Sequence, residues 1–202
     1  MNRAKADYFD SQVNSDWASK EYDEDELGKI DHVLQLVGWT PHMRILEPGC
    51  GAGRFTQLLI ERLDPPGYIV AADISPGMVQ ACLKRLLGRP NVTVKCAAVE
   101  ELDLEDGWFD LVLCHQVFPH FDDKERALNK LAACLKHKGK LVVFHFINSE
   151  QINDLHRKTD PSVLNDSMPS PDTMRTMFQA SGFTIDRLED DDRGYLLIAT
   201  RF

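Results

Sequence analysis

The amino-acid sequence predicts an α/β fold: a three-layer sandwich around a mostly parallel seven-stranded sheet, with one antiparallel strand near the C terminus. Short, nearly continuous apolar segments alternate with segments of helical periodicity, which is typical of a parallel sheet covered on both faces. Only residues 190–193 separate the last two apolar segments, too few for a crossover helix, so these strands pair antiparallel. At 202 residues and 43% hydrophobic content, the chain is long enough for one domain with a substantial core.

The first 24 residues are polar, and we expect an N-terminal arm or lid rather than core. Four aromatic side chains are scattered through this arm: Tyr8, Phe9, Trp17 and Tyr22. From Asp25 to Val37, apolar residues recur at steps of three and four, which predicts an amphipathic helix that Gly38 ends. Residues 25–202 are then expected to form a single domain.

The remaining elements follow in alternation. Strands are predicted at 43–47, 68–74, 92–99, 109–115, 140–146, 183–189 and 194–201. Helices are predicted at about 54–63, 76–87, 122–137 and 171–181. Ser75-Pro76 is typical of a helix start, with Ser as N-cap and Pro at the first helical position. The segment 148–170 is polar and loop-like, with at most a short helix, and we expect it to be an insertion on the substrate side.

Composition excludes several classes of function. A net charge of −9 without a run of Lys and Arg disfavours nucleic acid as a partner. No stretch reaches the roughly 20 apolar residues of a membrane span, and the N-terminal residues lack the apolar segment of a signal peptide. The five cysteines are widely spaced and form no C-x-x-C, which suits free thiols in a reducing cytosol. We therefore predict a cytoplasmic protein that binds neither nucleic acid nor membrane; its oligomeric state stays open, a homodimer included.

The most informative segment is Glu47-Pro-Gly-Cys-Gly-Ala-Gly53, between the first strand and its helix. Gly49, Gly51 and Gly53 allow a sharp turn and a close approach of a ligand to the main chain. Asp73 ends the second strand, 20 residues after Gly53. A carboxylate there can accept hydrogen bonds from both ribose hydroxyls, so the pattern predicts an adenosine-containing cofactor.

The glycine spacing also distinguishes between cofactors. It is G-x-G-x-G, whereas dinucleotide-binding folds carry G-x-G-x-x-G. Glu47, at the end of the first strand, would repel a pyrophosphate but suits the ammonium group of a methionine moiety. The electrostatics therefore favour S-adenosylmethionine, and a nicotinamide-dependent oxidoreductase is the less favoured alternative.

With these motifs, the sequence resembles the class I S-adenosylmethionine-dependent methyltransferases of the small-molecule type, over roughly residues 30–147. Residues 47–53 match the first motif of that family and Asp73 its ribose-binding acid. The fourth strand and the turn into the fifth match as well. The resemblance implies a Rossmann-like fold, S-adenosyl-L-methionine as cofactor, Ile74 packed on adenine, and a reversed last strand between the fifth and sixth strands.

Two positions depart from the family pattern. Where the third strand usually ends in an acid that meets the adenine amino group, this chain has Ala98. We expect Val99 and Glu100 to supply a backbone N–H and a carboxylate near adenine instead. The usual Gly-Gly before the fifth strand is Lys138-Gly139.

Four histidines are candidates for the acceptor end of the site. In an open α/β sheet the site lies beyond the carboxyl ends of the strands, and this placement selects His115, His120 and His145; His156 lies in the 148–170 segment. We expect His120 and His145 to be catalytic, with His156 as a third candidate, acting as a base, an orienting group or a metal ligand. No spacing specifies a metal site. We expect the backbone of His115 to contact the methionine end of the cofactor. The alternative for each histidine is a satisfied polar side chain at a strand end.

The predicted function is methyl transfer to a small-molecule acceptor. No N-P-P-Y-type motif follows the fourth strand, which disfavours adenine or glutamine amide nitrogen as the target, and no target-recognition domain is evident. A protein acceptor with a basic tail and a non-catalytic S-adenosylmethionine-binding or partner subunit are the alternatives. The acceptor atom is not specified by the sequence.

Overall fold

A computed structural model describes residues 2–202. Seven strands form one sheet: β1 (Arg44–Pro48), β2 (Tyr68–Asp73), β3 (Val92–Cys96), β4 (Phe109–His115), β5 (Leu135–His145), β6 (Phe183–Asp191) and β7 (Gly194–Arg201). Eight α-helices accompany them in this part of the chain: α1 (Arg3–Ser11), α2 (Asp16–Ser19), α3 (Glu24–Leu36), α4 (Arg54–Ile60), α5 (Pro76–Arg85), α6 (Lys124–Cys134), α7 (Ser149–Arg157) and α8 (Pro171–Ala180).

The strand order in the sheet is β3-β2-β1-β4-β5-β7-β6. Strands β1 to β5 are mutually parallel, whereas β7 runs antiparallel to both of its neighbours, β5 and β6. This confirms the predicted sheet, in which one reversed strand lies between the fifth and sixth. The order reverses between β1 and β4, and such a reversal opens a crevice at the carboxyl ends of the strands.

Successive residues of each strand point to opposite faces of the sheet, and each face carries its own core. On β5, Leu141 and Val143 pack in the core that contains the buried residues of α6 and α8. Val142 and Phe144 of the same strand pack in the core of α3, α4 and α5. The strands are apolar on both faces for this reason, and the predicted three-layer sandwich is confirmed.

The third strand is shorter than predicted. It pairs with β2 only as far as Asp73 and Cys96, because β2 itself ends there and leaves no partner beyond. The amide of Ala97 still donates to the Asp73 carbonyl oxygen at 2.9 Å. The chain then forms a 3₁₀ turn, Val99–Glu101, instead of continuing as strand to residue 99.

The sixth helix ends at Cys134 rather than near residue 137, and β5 begins at once with Leu135. The pairing of β4 with β5 passes from Phe109 opposite Leu135 directly to Leu111 opposite Lys140. Residues 136–139 therefore bulge out of the ladder, with Lys138 at a φ of 64°. The expected turn before the fifth strand is a bulge within that strand.

The segments outside the central alternation are more helical than predicted. The N-terminal arm folds into α1 and α2, and Asp10 attaches α1 to the start of α5 by accepting hydrogen bonds from the amide of Gly77 at 2.8 Å and from the Ser75 hydroxyl. Within 148–170, Asn148 caps α7 by accepting from the amide of Gln151, whose side chain returns the bond. In the described part of the chain, no helix is both long and apolar enough to cross a membrane.

The core on the α6 and α8 face makes a direct stability prediction. Leu131→Ala removes a fully buried side chain and should lower the free energy of unfolding by about 2–5 kcal/mol. Leu87→Ala is the control, since this side chain is 88% exposed and its loss should change stability by no more than about 0.5 kcal/mol. Urea unfolding of both variants measures the difference; equal losses would contradict the assignment of the core.

Candidate functional site

A cavity of about 780 Å³ opens at the carboxyl ends of the parallel strands, beside the point where the strand order reverses. The glycine turn lines one end of it, and residues of α7 and of the segment that follows line the other. Every site residue predicted from the sequence lies on its wall except Gly53, which stands behind the turn. The turn, the acids and the histidines thus belong to a single site.

The glycine turn adopts a backbone that other residues rarely take. Gly49 has a φ of 73°, and a Cβ placed on it would lie 2.1 Å from a methyl group of Val117. Gly53 has a φ of 82°, and its Cβ would lie 2.7 Å from the sulfur of Cys82. Gly51, at a φ of 53°, faces open space. The turn is therefore packed from behind at two positions and open toward the cavity at the third.

Asp73 is held by the turn that it faces. One carboxylate oxygen accepts from the amide of Gly51 and the other from the amide of Ser75, both at 2.9 Å. Each oxygen keeps a lone pair, so the carboxylate can accept two further hydrogen bonds. Burial raises the pKa of Asp73, opposed by the backbone N–H donors around it. Two ribose hydroxyls are the ligand groups that fit this arrangement.

Glu47 is buried at the end of β1, with 2% of its surface exposed. Its Oε2 atom has no hydrogen-bond partner in the described chain, and burial raises the pKa of the carboxyl well above its usual range. A buried carboxyl with an unsatisfied oxygen is costly unless a ligand supplies a donor or a cation. An ammonium group meets both needs, so the residue fits the amino acid portion of S-adenosylmethionine.

At the opposite side of the turn, the wall is formed by the ends of β2 and β3. Ile74 and Val99 offer apolar surface there, and Glu100 lies beside them. The Glu100 carboxylate accepts from the amide of Asp123 at 3.2 Å, so one of its oxygens is committed to the start of α6. An adenine ring fits between these side chains, with one carboxylate oxygen of Glu100 left for it.

Both ring nitrogens of His115 have hydrogen-bond partners. Its Nδ1 lies 3.4 Å from the carbonyl oxygen of Phe144, which can only accept, and its Nε2 lies 3.3 Å from the Gln116 amide nitrogen. The ring stacks on Phe144 at 4.3 Å, and burial lowers the pKa of His115 to about 3. The ring is therefore neutral and has partners at both nitrogens, and the residue lines the cavity.

Gln116 is a site residue that sequence reasoning missed. It has a φ of 55°, which is uncommon for a residue other than glycine, and it turns the chain at the end of β4 into the cavity wall. The backbone N–H of Gln116 donates to the Phe144 carbonyl oxygen at 3.0 Å, which fixes this turn. Nothing in the local sequence marks the position.

His120 is held by a buried ion pair that was also missed. Its Nδ1 lies 2.7 Å from Oδ2 of Asp166, and the Lys5 ammonium donates to the other carboxylate oxygen at 2.8 Å. Lys5 also donates to the His120 carbonyl oxygen at 2.8 Å and to Asp122 at 2.9 Å, and only 2% of it is exposed. The three groups come from α1, from the turn after β4 and from the segment after α7. The contacts of Asp166 with His120 and Lys5 join residues that are 46 and 161 positions apart in the sequence, and no local pattern predicts them.

The Asp166 carboxylate, itself paired with Lys5, determines the tautomer of the His120 ring. A carboxylate at Nδ1 places the ring proton there and leaves Nε2 as an acceptor in the neutral form. Burial lowers the pKa of His120, and although Asp166 opposes that shift, His156 and Lys5 add to it. The hydrogen bonds of the His120 side chain within residues 2–202 are made through Nδ1, and the residue lines the cavity, so Nε2 is the atom that remains for a ligand.

Two further histidines complete the group. His156 has its Nδ1 2.6 Å from the Asp166 carbonyl oxygen, and its ring centre is 4.6 Å from that of His120. His145 is 6% exposed, its buried Nε2 has no partner, and burial lowers its pKa well below the usual value. Among the described residues, no group of three or more histidines, cysteines or acids is arranged to hold a metal ion.

The N-terminal arm covers this group. All four aromatic residues of the arm line the cavity: Tyr8, Phe9, Trp17 and Tyr22. Phe9 meets the His120 ring edge-on at 5.1 Å. Tyr22 lies under the Arg54 guanidinium at 4.1 Å, and Arg54 also donates to the Trp17 carbonyl oxygen at 2.5 Å.

Comparisons with known proteins agree with this geometry. The family model of the methyltransferase domain matches residues 46–143. The malonyl-[acyl-carrier protein] O-methyltransferase of Acetivibrio thermocellus is 37% identical over 112 residues, which are 55% of this chain and 38% of the relative. The chain spans less than half the length of the first curated relatives that it matches.

Two solved structures share the fold. Magnesium protoporphyrin IX methyltransferase from Synechocystis PCC 6803, with bound S-adenosylmethionine, superposes with a TM-score of 0.71 at 18% identity, over 100% of this chain and 97% of that one. The [4+2]-cyclase SpnF superposes with a TM-score of 0.77 at 17% identity, over 100% and 96%. At such identities the likeness extends to the fold alone.

The packing around the turn predicts different costs for two glycines. Gly51→Ala adds only the strain of a left-handed backbone, and should lower the free energy of unfolding by about 1–2 kcal/mol. Gly49→Ala adds the same strain and also pushes a methyl group into Val117, which should cost about 1–3 kcal/mol more. Chemical denaturation measures both. Similar losses in the two variants would mean that the turn is not packed as described.

Proposed function

We propose that the chain is a class I S-adenosylmethionine-dependent methyltransferase that transfers a methyl group to a small-molecule acceptor; the match of residues 46–143 to the methyltransferase-domain family supports this. The observation that carries this proposal is a continuous cavity with two chemically distinct ends. One end presents the buried acids Glu47 and Asp73 around the glycine turn. The other presents three histidines beneath an aromatic arm, where an acceptor can lie next to the bound cofactor.

The cofactor end assigns a role to each predicted residue. Glu47 would hold the ammonium group and Asp73 the ribose hydroxyls, while the main chain at Gly49 and Gly51 would lie against the ligand and Gly53 would shape the turn from behind. Ile74, Val99 and Glu100 would enclose the adenine. His115 would contribute its main chain near the methionine portion. The unsatisfied oxygen of Glu47 supports the first of these roles most directly.

The acceptor end assigns roles to His120 and His145. The bound cofactor supplies a methyl group that is already activated on a sulfonium, so the protein has to align the acceptor and exclude water. His120 is a general base through its unpartnered Nε2, and Asp166 fixes the tautomer that this requires. His145 orients the acceptor through its buried Nε2. The aromatic arm, residues 1–24, acts as the lid, and the segment 148–170 forms the acceptor side of the single domain 25–202.

The composition of the chain supports the proposed class of partner and the proposed cellular location. The net charge of −9 supports a partner that is not a nucleic acid, and five free cysteines support a cytoplasmic location. The O-methyltransferase names of the relatives support oxygen as an acceptor atom. A cyclase shares the fold, so a test of this proposal has to measure transfer as well as binding.

Cofactor binding is the first test. We expect calorimetric titration with S-adenosylmethionine to show binding that Asp73→Ala weakens by about 1.5–3 kcal/mol, the size of a hydrogen bond to a charged group. Glu61→Ala, which removes a half-exposed carboxylate outside the cavity, should bind like the parent protein. NAD and NADP should not bind. Binding of either one, without binding of S-adenosylmethionine, would replace this proposal with an oxidoreductase.

Methyl transfer is the second test. Incubation with methyl-labelled S-adenosylmethionine and a small-metabolite extract should label a low-molecular-weight product, and His120→Ala should lower the rate by roughly 10²–10⁴-fold while cofactor affinity is unchanged. His42→Ala is the control, because this exposed histidine lies outside the cavity. Tight cofactor binding without labelling of any product would identify a non-catalytic module instead.

The pH dependence of transfer follows from the state of His120. A base acts in its neutral form, and because burial lowers the pKa of His120 below 6.5, that form persists in mildly acidic solution. We expect kcat/KM to stay level as the pH falls through 6.5 and to decline only below it. A decline centred at or above pH 6.5 would show that another group is the base.

A further inference from the structure

We propose that the acceptor is an uncharged, largely apolar molecule whose hydroxyl group, of phenolic or enolic type, donates its proton to Nε2 of His120 and is methylated on oxygen. This inference rests on the proposed function and names its substrate class. Three features of the acceptor end carry it: the direction of the available hydrogen bonds, the absence of a free charge, and the apolar wall.

Asp166 determines the hydrogen-bonding direction of two histidines at once. Its carboxylate takes the Nδ1 proton of His120 at 2.7 Å, and its backbone carbonyl, which has no proton to give, takes that of His156 at 2.6 Å. The neutral His120 ring then presents Nε2 as an acceptor. The ring centre of His156 lies 4.6 Å from that of His120, so both rings border the same part of the cavity. A carboxylate ligand has only acceptors to offer and would leave Nε2 of His120 unsatisfied.

The cations of the cavity wall are already paired. Lys20 and Arg54 are the basic residues among the described lining residues. Lys20 forms an ion pair with Asp16, and Arg54 lies 3.7 Å from a Glu26 oxygen. No free cation is therefore left in the described lining for an acidic or phosphorylated acceptor, whose buried charge would be unpaired.

The carboxylates nearest the histidines are occupied as well. Both oxygens of Asp166 are taken, one by His120 and one by Lys5, and Lys5 also holds Asp122. The Asp166 carboxylate is therefore not available to an ammonium-bearing acceptor. A neutral amine needs no base to attack a methyl group, whereas a hydroxyl has to lose its proton near neutral pH. The oriented base is thus best explained by an O–H acceptor.

Hydrophobic residues form a large part of the remaining lining: Phe9, Trp17, Ile147, Ile152, Leu155 and Val163. Three of them stay partly exposed, Trp17 at 51%, Ile147 at 36% and Leu155 at 56%. An apolar body bound against them would cover this surface, as is usual for small-molecule pockets that fix orientation with a few polar groups.

The reaction balances with these groups alone. The acceptor oxygen loses its proton to Nε2 of His120, and its electron pair forms the new C–O bond. The C–S bond breaks, and its electron pair stays on sulfur, which becomes the neutral thioether of S-adenosylhomocysteine. The positive charge of the sulfonium thus ends on His120, where the Asp166 carboxylate stabilises it.

A matched series of para-substituted butylbenzenes tests the proposal: 4-butylphenol, 4-butylanisole, 4-butylbenzoate and 4-butylaniline. Equilibrium dialysis is carried out on the protein saturated with S-adenosylhomocysteine and on the protein alone. We expect 4-butylphenol to bind more tightly than the anisole and the benzoate by about tenfold or more, the value of a hydrogen bond in a buried site. Loss of this preference is expected in His120→Ala.

Turnover gives the second readout. With S-adenosylmethionine, 4-butylphenol should yield 4-butylanisole, and Asp166→Asn should lower kcat by about 10²-fold or more with little change in KM, because an amide can impose the wrong tautomer on His120. His42→Ala is again the control. Failure of 4-butylphenol to bind, equal or tighter binding of the benzoate, or faster methylation of 4-butylaniline would overturn the hydroxyl acceptor. S-adenosylhomocysteine binding, measured separately, shows whether the proposed function itself stands.

Discussion

The sheet reverses its winding between β1 and β4, and the position of the site depends on that reversal. Helices that follow strands on either side of this point lie on opposite faces, which leaves a crevice at the carboxyl ends of the two central strands. Glu47 ends one of them and His115 the other. The two cores fix this geometry from both faces, which is why a small number of polar side chains can be held in a fixed arrangement above them.

The two ends of the cavity differ in how their charged groups are satisfied. At the glycine turn, buried carboxyls keep unsatisfied hydrogen-bonding capacity, as the partnerless oxygen of Glu47 shows. At the histidines, the buried charges are paired inside the protein, since Lys5 forms ion pairs with Asp166 and Asp122. The first arrangement favours a ligand that brings positive charge and donors. The second favours a ligand that brings no charge. A charged cofactor and a neutral acceptor can in this way be sorted to their own ends of one cavity.

Features of the fold and the site that depend on short segments could be predicted from the sequence, whereas contacts between distant residues could not. The fold class and the reversed strand depend on periodicity and on residue types within short segments, and these predictions are confirmed. Glu47, Asp73 and the glycine turn line one cavity as expected, while their roles in binding stay predictions. The strand and helix ends were less accurate, because β3 stops where its neighbour stops and residues 136–139 bulge out of a ladder. Lys5 and Asp166 could not be predicted at all. Each is an ordinary charged residue in a polar segment, and only the folded chain brings them together across 161 positions.

Lys5 has a consequence for the timing of a catalytic cycle. Its ammonium connects the arm to the acceptor end through three oxygen partners, beside the contact of Phe9 with His120. Under the proposed lid role, opening of the arm would break these bonds, and the exposed ammonium would recover its hydration. Opening would then be an activated step that competes with chemistry for control of the overall rate, as lid motions do in many enzymes. Opening would also remove Lys5, the counter-ion of Asp166. The proposed base, His120, would then be fully oriented only while the arm is closed, and the open form would be less reactive.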